Sequence, residues 1–223
     1  MLLAPFLLIY ALLFFLVLAF LFALIEIGII NYAFQRIGLS PELAFFALLA
    51  SLAGSYVNIP LRRIEGGAMH PAELVSNFGI RYRVPMPVAS GSTVLAVNVG
   101  GAMVPFLLST YVLVLEPAAI ASVIVCTAIV TLVVNRFARP IPGLGIATPM
   151  LIPPITAAIA AYALGGENRA AVAYVSGVMG TLIGADLMNL RRLRDLGAPV
   201  ASIGGAGTFD GIFLTGIVAV LLV

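Results

Sequence analysis

Residues 2–30 form the stretch LLAPFLLIYALLFFLVLAFLFALIEIGII, an apolar run with a single charged side chain, Glu26. A helix that crosses a bilayer needs roughly 20 apolar residues at a rise of about 1.5 Å each, so this run is long enough to span. A signal peptide would have a shorter apolar core and a basic start, and the run has neither. It therefore predicts a retained transmembrane helix.

The composition extends this prediction to the rest of the chain. Apolar residue types make up 62% of the 223 residues and charged types only 9%, with a mean hydropathy of +1.19. Soluble domains carry about 25% charged residues, so a water-soluble globular enzyme is excluded. A net charge of +2 is too small to indicate a nucleic-acid partner. We expect the lipid bilayer to be the main surrounding of the protein.

Seven apolar runs are long enough to be membrane spans, which predicts an all-α, polytopic helix bundle. The runs are Leu2–Ile30, Leu43–Leu61, Ser92–Leu115, Ala118–Val134, Ile146–Leu164, Ala170–Leu190 and Ile203–Val223. Pro149, Pro153 and Pro154 interrupt the fifth run, because proline disrupts the interior of a helix.

The distribution of arginines predicts the orientation of these spans. The second, fourth and sixth loops carry nine arginines, at positions 62, 63, 81, 83, 136, 139, 191, 192 and 194. The first, third and fifth loops carry only Arg36 and Arg169. Arginine-rich loops stay on the cytoplasmic side, so we expect the N-terminus inside and the C-terminus outside, in the plasma membrane of the cell.

An internal repeat runs through the middle of the chain. Arg81–Pro87 (RYRVPMP) and Arg136–Pro142 (RFARPIP) share Arg, an aromatic residue and two prolines at an offset of 55 residues. The sequence PVAS also occurs twice, at residues 87–90 and 199–202. We therefore expect helical-hairpin repeats over residues 81–135 and 136–190, with the last span as a half copy, inside one integral membrane domain of residues 1–223.

The longest predicted loop is cytoplasmic and covers residues 62–91. Pro71 suits the first turn of a helix, Gly79 suits its end, and Leu74, Val75 and Phe78 share a face. This pattern predicts a short helix that lies in the membrane interface.

Two aspartates fall inside predicted spans, where an ionisable group is costly and calls for an explanation. Asp186 precedes Arg191 by five residues, which puts it about 7 Å inside the cytoplasmic edge. Asp210 follows Ser202 by eight residues, which puts it about 12 Å inside the same edge. The two acids are therefore expected at similar depth on neighbouring antiparallel helices.

Such a pair predicts a shared-proton site. Two close carboxylates in a low dielectric hold one proton between them, so that one acts as a base on water while the other donates to a carbonyl oxygen. This is the chemistry of an aspartic peptidase, acting on membrane-embedded peptide. A polar cavity would supply the water, and the candidate lining residues are Asn58, Asn98, Thr148, Asn189, Thr208 and the glycine-rich Gly205 and Gly207.

No cofactor or metal is predicted. His70 beside Pro71 is more typical of a cap or surface residue than of a ligand, and no His, Cys and carboxylate cluster has the spacing of a metal site.

Two alternatives remain beside the protease. The repeated hairpins and the glycine and proline breaks at residues 98–105 and 145–149 are typical of a transporter or channel, in which Asp186 and Asp210 would bind protons or cations. In the third hypothesis the protein is a scaffold, and its aspartates cap helices or pair with Arg191, Arg192 or Arg194.

The segment Gly205–Phe213 (GAGTFDGIF) resembles the Gly-x-Gly-Asp element of presenilins and signal peptide peptidases. That resemblance implies intramembrane proteolysis with Asp186 and Asp210 as the catalytic pair. The chain departs from the pattern in three ways: two extra residues separate Gly207 from Asp210, Ala185 precedes Asp186 in place of tyrosine, and no later helix carries a Pro-Ala-Leu element.

Across most of its length the chain resembles the prokaryotic membrane proteins grouped as domain of unknown function 1614. The resemblance is carried by residues 204–216 (GGAGTFDGIFLTG) and 139–143 (RPIPG). It implies a prokaryotic polytopic membrane protein and no particular activity.

Overall fold

The computed structural model describes residues 15–18, 23, 27–65, 75–77, 80–82, 92–141, 145–195, 200–205 and 211–223. Most of these residues are helical, as the sequence predicts. The helices are α1 (Ile27–Arg36), α2 (Pro41–Gly54), α3 (Val104–Leu115), α4 (Ile120–Phe137), α5 (Ile152–Leu164), α6 (Arg169–Thr181) and α7 (Gly211–Leu221). A π-helical turn, Val99–Met103, precedes α3, and a π-helical segment, Leu182–Asp186, followed by a 3₁₀ segment, Leu187–Asp195, continues α6.

The structure also contains β-strands, which the sequence analysis did not anticipate. They are β1 (Asn58–Glu65), β2 (Val75–Asn77), β3 (Ile80–Tyr82), β4 (Ser92–Asn98), β5 (Arg139–Ile141), β6 (Gly145–Ala147) and β7 (Val200–Ile203). One sheet has the order β1-β4-β7, in which β4 pairs antiparallel with β1 and parallel with β7. Strands β2 and β3 form an antiparallel pair, as do β5 and β6.

The prediction of an all-α fold is therefore wrong. The predicted span Ser92–Leu115 divides into the strand β4, the π-helical turn and the helix α3. Asn98, Gly100 and Gly101 mark a break at this junction, but the apolar Val, Leu and Ala before it suit a buried strand as well as a membrane helix. The predicted spans at Leu43–Leu61, Ile146–Leu164 and Ile203–Val223 are likewise each part strand and part helix.

The predicted interfacial helix is also contradicted where it can be compared. Val75–Asn77, inside that helix, forms the strand β2 and pairs with Ile80–Tyr82. Pairing satisfies the backbone groups of both segments, and Val, Ile and Tyr favour strands. Residues 66–74, 78–79 and 83–91 of the predicted cytoplasmic loop lie outside the described residues.

The strand β4 ends at a capped junction with α3. Asn98 has extended backbone angles, and its Oδ1 accepts a hydrogen bond of 2.7 Å from the backbone N–H of Gly101, which starts the following turn. Gly100 lies directly against α2, where a Cβ atom on it would collide with the carbonyl oxygen of Ser51. Because residue 100 has no side chain, the end of α2 packs directly against the π-helical turn that precedes α3.

Helix α6 is the central helix of the bundle and packs against α3, α4, α5 and α7. Val172, Tyr174, Val175 and Val178 are almost completely buried on it. Glycines permit the close packing: a Cβ atom on Gly180 would lie 2.5 Å from Cβ of Val130 on α4.

Two helices in the described part of the chain are long and apolar enough to cross a membrane, Ile120–Phe137 and Gly166–Leu190. A third span results if α1 and α2, which are bent by 117°, are counted as one broken span. Large apolar side chains point outward from α4, where Ile124 is 64% and Leu132 66% exposed. These helices indicate a membrane protein, whereas the count of seven spans and their orientation stay predictions.

Candidate functional site

Asp186 lies at the end of the π-helical segment that continues α6. Its Oδ2 accepts a hydrogen bond of 2.8 Å from the backbone N–H of Gly204, just after β7. π-Helical turns occur mostly as local insertions in helices and are frequent at functional sites. The regular α-helix ends at Thr181, and this segment continues the chain to Asp186, whose carboxylate contacts the backbone just after β7.

The contact requires glycine on the β7 side. Gly204 and Gly205 have φ angles of +83° and +90°, in the left-handed region that favours glycine. A Cβ atom on Gly204 would lie 2.6 Å from both the Cβ and the backbone nitrogen of Ala102. Gly204 is therefore packed closely against both Ala102 and the Asp186 carboxylate.

A cavity of about 320 Å³ opens beside Asp186. Its walls come from β6 and the start of α5, the end of α6, the strand β7, and α7. At about 30 Å³ for each water molecule, the volume corresponds to about ten waters. Pro149 and Pro153 form part of its rim, and Pro153 sits in the first turn of α5, where the missing N–H carries no penalty.

Three of the four hydroxyls that line the cavity already donate within the protein, so their oxygens are left as acceptors. The hydroxyls of Thr181 and Thr215 donate to helix carbonyls of Gly177 and Gly211, and the hydroxyl of Ser202 donates to Oδ1 of Asn58. Asp186 is the one ionisable side chain among the described lining residues. The arrangement can therefore hold water or another hydrogen-bond donor, and its single described carboxylate does not make a metal site.

Several residues predicted for the site lie together in the structure. Thr148 and Gly205 line the same cavity as Asp186. Asp210, Gly207 and Thr208 lie outside the described residues. The residue after Asp210, Gly211, lines the cavity.

Two predicted lining residues have their amides bound to the protein instead. Asn98 caps the π-helical turn that precedes α3 and also donates a hydrogen bond of 2.7 Å to the carbonyl oxygen of Ser55. Asn189 donates to the carbonyl oxygens of Gly184 and Ala185, at 3.1 and 2.9 Å. Both side chains are 1% exposed and neither lines the cavity, so their amides satisfy backbone groups at helix breaks.

The sequence analysis missed Ser202 as a lining residue. Ser202 ends the second PVAS segment, so the repeat contained a signal for it. The repeat alone does not identify a lining residue, because it reveals neither the strand β7 nor the face of that strand on which Ser202 lies.

Pairing of Asp186 with an arginine, one of the two roles that the scaffold hypothesis gives the aspartates, is not observed among the described side chains. Arg192 is exposed, and no arginine is among the described residues that line the cavity. The side chains of Arg191 and Arg194 lie outside the described set.

Comparison with known proteins assigns the chain to a family. No curated protein and no solved structure matches it. Residues 52–222 match a family profile, and this range contains β1, Asn98, Asp186 and Gly204. The match covers more than half of the chain, so the protein belongs to the family described as protein of unknown function DUF1614.

Proposed function

We propose that the protein is a multi-pass protein of the prokaryotic plasma membrane, with seven spans, the N-terminus inside and the C-terminus outside. The excess of arginines in alternate loops supports this orientation. Arg62 and Arg63 on β1 are exposed, as expected for a segment at the cytoplasmic surface. The cavity beside Asp186 then opens in the cytoplasmic half of the bundle.

We propose that Asp186 and Asp210 form the catalytic pair of an intramembrane aspartyl protease. One observation carries this proposal: Gly211, which directly follows Asp210, lines the same cavity as Asp186. Asp210 is the neighbour of Gly211 in the sequence, which supports a place for it at the same cavity. The resemblance of Gly205–Phe213 to the Gly-x-Gly-Asp element also supports the pair.

The proposed reaction is hydrolysis of a peptide bond. One carboxylate takes a proton from a cavity water, the water oxygen attacks the carbonyl carbon, and the other carboxyl donates its proton to the carbonyl oxygen. The tetrahedral intermediate then loses its nitrogen as an amine, which takes up a proton as the C–N bond breaks. One water is consumed, and a carboxylic acid and an amine are formed.

The hydrogen bond from Gly204 assigns separate tasks to the two oxygens of Asp186. Oδ2 is bound by the backbone N–H, which leaves Oδ1 for water or substrate. A volume of about 320 Å³ is at the lower end for ligand sites, which supports a substrate that enters as a short unwound segment of a membrane-embedded peptide.

Cleavage of peptides by the purified full-length chain in liposomes tests the proposal. With a panel of synthetic transmembrane peptides, we expect cleavage that falls by at least about a hundredfold in Asp186→Asn and in Asp210→Asn. Glu116→Gln, which removes an acid at the exposed end of α3, serves as the control and should cleave as the parent does. Cleavage that persists in both aspartate variants would contradict the assignment.

A second candidate function is proton- or cation-coupled transport or conduction of a small solute. Broken elements favour it: the π-helical turn Val99–Met103 separates β4 from α3, and the π-helical segment Leu182–Asp186 follows the regular helix α6. Transporters hold ions at such breaks near the middle of the membrane, and the acceptor-rich cavity suits a cation. Proton or alkali-cation flux into liposomes that is lost in Asp186→Asn, without any peptide cleavage by the parent, would favour transport over proteolysis.

A further inference from the structure

The two outer strands of the three-stranded sheet are joined by a side-chain hydrogen bond that passes over the middle strand. Ser202 on β7 donates to Oδ1 of Asn58 on β1 at 2.6 Å. The strands are not neighbours, because β4 lies between them. Neighbouring strands are about 4.8 Å apart, so this contact links backbones that are roughly 10 Å apart.

Asn58 is held in place by a second donor. Its Oδ1 also accepts from Nδ2 of Asn98, at 3.1 Å, and residues 58 and 98 are register partners in the β1–β4 pair. The amide of Asn98 is itself fixed, because its Oδ1 accepts from Gly101 and its Nδ2 also donates to Ser55. Oδ1 of Asn58 therefore accepts hydrogen bonds from both β7 and the end of β4, and connects the two strands.

The donor that reaches the carboxylate directly follows the same strand. Gly204 follows Ser202 by two residues, and its N–H binds Asp186 at 2.8 Å. The strand β7 has four residues and pairs, within the described residues, with β4 alone. So short an edge strand needs further contacts to keep its position, and the bond from Ser202 to Asn58 supplies one close to Gly204.

We propose that Asn58 and Ser202 are positioning residues for Asp186. Their hydrogen bond fixes β7 so that the N–H of Gly204 meets Oδ2 of the carboxylate, while Ala102 blocks movement of Gly204 to the other side. The importance of this geometry for catalysis rests on the proposed function of Asp186. The geometry itself does not depend on that function, so the positioning role and the catalytic role can be tested separately.

The test compares Ser202→Ala, Ser202→Thr and Ser122→Ala in the full-length chain in detergent. Ser122→Ala is the matched control, because its hydroxyl donates 2.7 Å to the carbonyl oxygen of Leu164 and also joins two elements, but away from the cavity. The readout is the rate at which a hydrophobic carbodiimide labels Asp186 at one fixed pH, followed by mass spectrometry. This rate is independent of any enzymatic activity.

We expect Ser202→Ala to label Asp186 at least threefold faster than the parent, because a carboxyl no longer held against Gly204 exposes both oxygens. Ser202→Thr keeps the hydroxyl and should restore the parent rate, and Ser122→Ala should not differ from the parent. If Ser202→Ala does not fold, Ser202→Cys takes its place, because its thiol is a weaker donor of similar shape. It should likewise label Asp186 faster than the parent does.

A rate in Ser202→Ala equal to that of the parent, or a Ser202→Thr variant that behaves like Ser202→Ala, would overturn the proposal. In peptide cleavage, Ser202→Ala should lower kcat about tenfold with little change in KM. If the parent cleaves no peptide, the proposed function fails while the labelling result still decides the positioning role.

Discussion

The backbone N–H of Gly204 lies 2.8 Å from Oδ2 of Asp186, although 18 positions separate the two residues in sequence. The contact joins the end of the π-helical segment after α6 to the residue that follows β7, and Asp186 itself lines the cavity. An apolar chain thus brings a carboxylate, a strand end and two left-handed glycines together at one place.

Gly204→Ala should destabilise the protein strongly. The substitution adds a Cβ atom 2.6 Å from Ala102 and forces a φ of +83° on a residue that disfavours it. We expect a loss of roughly 2–4 kcal/mol in the free energy of unfolding, from overpacking together with backbone strain. Unfolding in a series of denaturing detergent mixtures measures it.

Gly28→Ala is the control for this substitution. Gly28 lies in α1, where a Cβ atom has no neighbour within 4 Å, so alanine there should be neutral or stabilising by up to about 1 kcal/mol. Equal stabilities of Gly204→Ala and Gly28→Ala would show that Gly204 is not closely packed against Ala102.

Asn98→Ala should lower the free energy of unfolding without removing a contact to a ligand. The variant loses the cap of the π-helical turn that precedes α3 and leaves the buried carbonyl oxygen of Ser55 without the amide donor. Together these losses correspond to roughly 2–3 kcal/mol. Thr110→Ala, which removes an exposed hydroxyl bond within α3, should cost less than about 0.5 kcal/mol, and a similar cost for both would contradict the capping role.

Thr148→Cys should react with a membrane-impermeant maleimide from the cytoplasmic side, because Thr148 lines the cavity. In a Cys126→Ala background we expect labelling in inverted vesicles and none in right-side-out vesicles. Val130→Cys, at a fully buried position, should remain unlabelled in both. Labelling of Thr148→Cys only from the outside would reverse the proposed orientation.

The long helices are the part of the fold that the sequence predicts well. The predicted span Ala118–Val134 corresponds to α4 at Ile120–Phe137, and Ala170–Leu190 lies within the apolar helix Gly166–Leu190. Both are uniformly apolar over a membrane-spanning length, so hydropathy alone is sufficient. The strands could not be found in the same way, because an apolar segment such as the one before the break at Asn98 suits a buried strand and a membrane helix equally.

The sequence points to a candidate site through the cost of burying a carboxylate, and the role of that site stays a prediction. That cost singles out Asp186, and the structure has Thr148 and Gly205 on the same cavity. Asn98 and Asn189 were also singled out as polar groups within spans, but a sequence does not tell whether an amide serves a ligand or its own backbone. Here the backbone of the helix breaks uses both amides.

The central claim is that Asp186 and Asp210 face one cavity. Disulfide formation between Asp186→Cys and Asp210→Cys, in a Cys126→Ala background in membranes, tests it most directly. Two cysteines form a bond only when their Cα atoms lie within about 7 Å. Ile59→Cys with Val97→Cys, which are register partners in the β1–β4 pair, is the positive control.

Mass spectrometry of proteolysed protein after mild oxidation identifies the linked peptides. We predict that the pair at 186 and 210 forms a disulfide as readily as the control pair. A control pair that links fully while positions 186 and 210 remain reduced would contradict the claim and would leave Asp186 as a single carboxylate in its cavity.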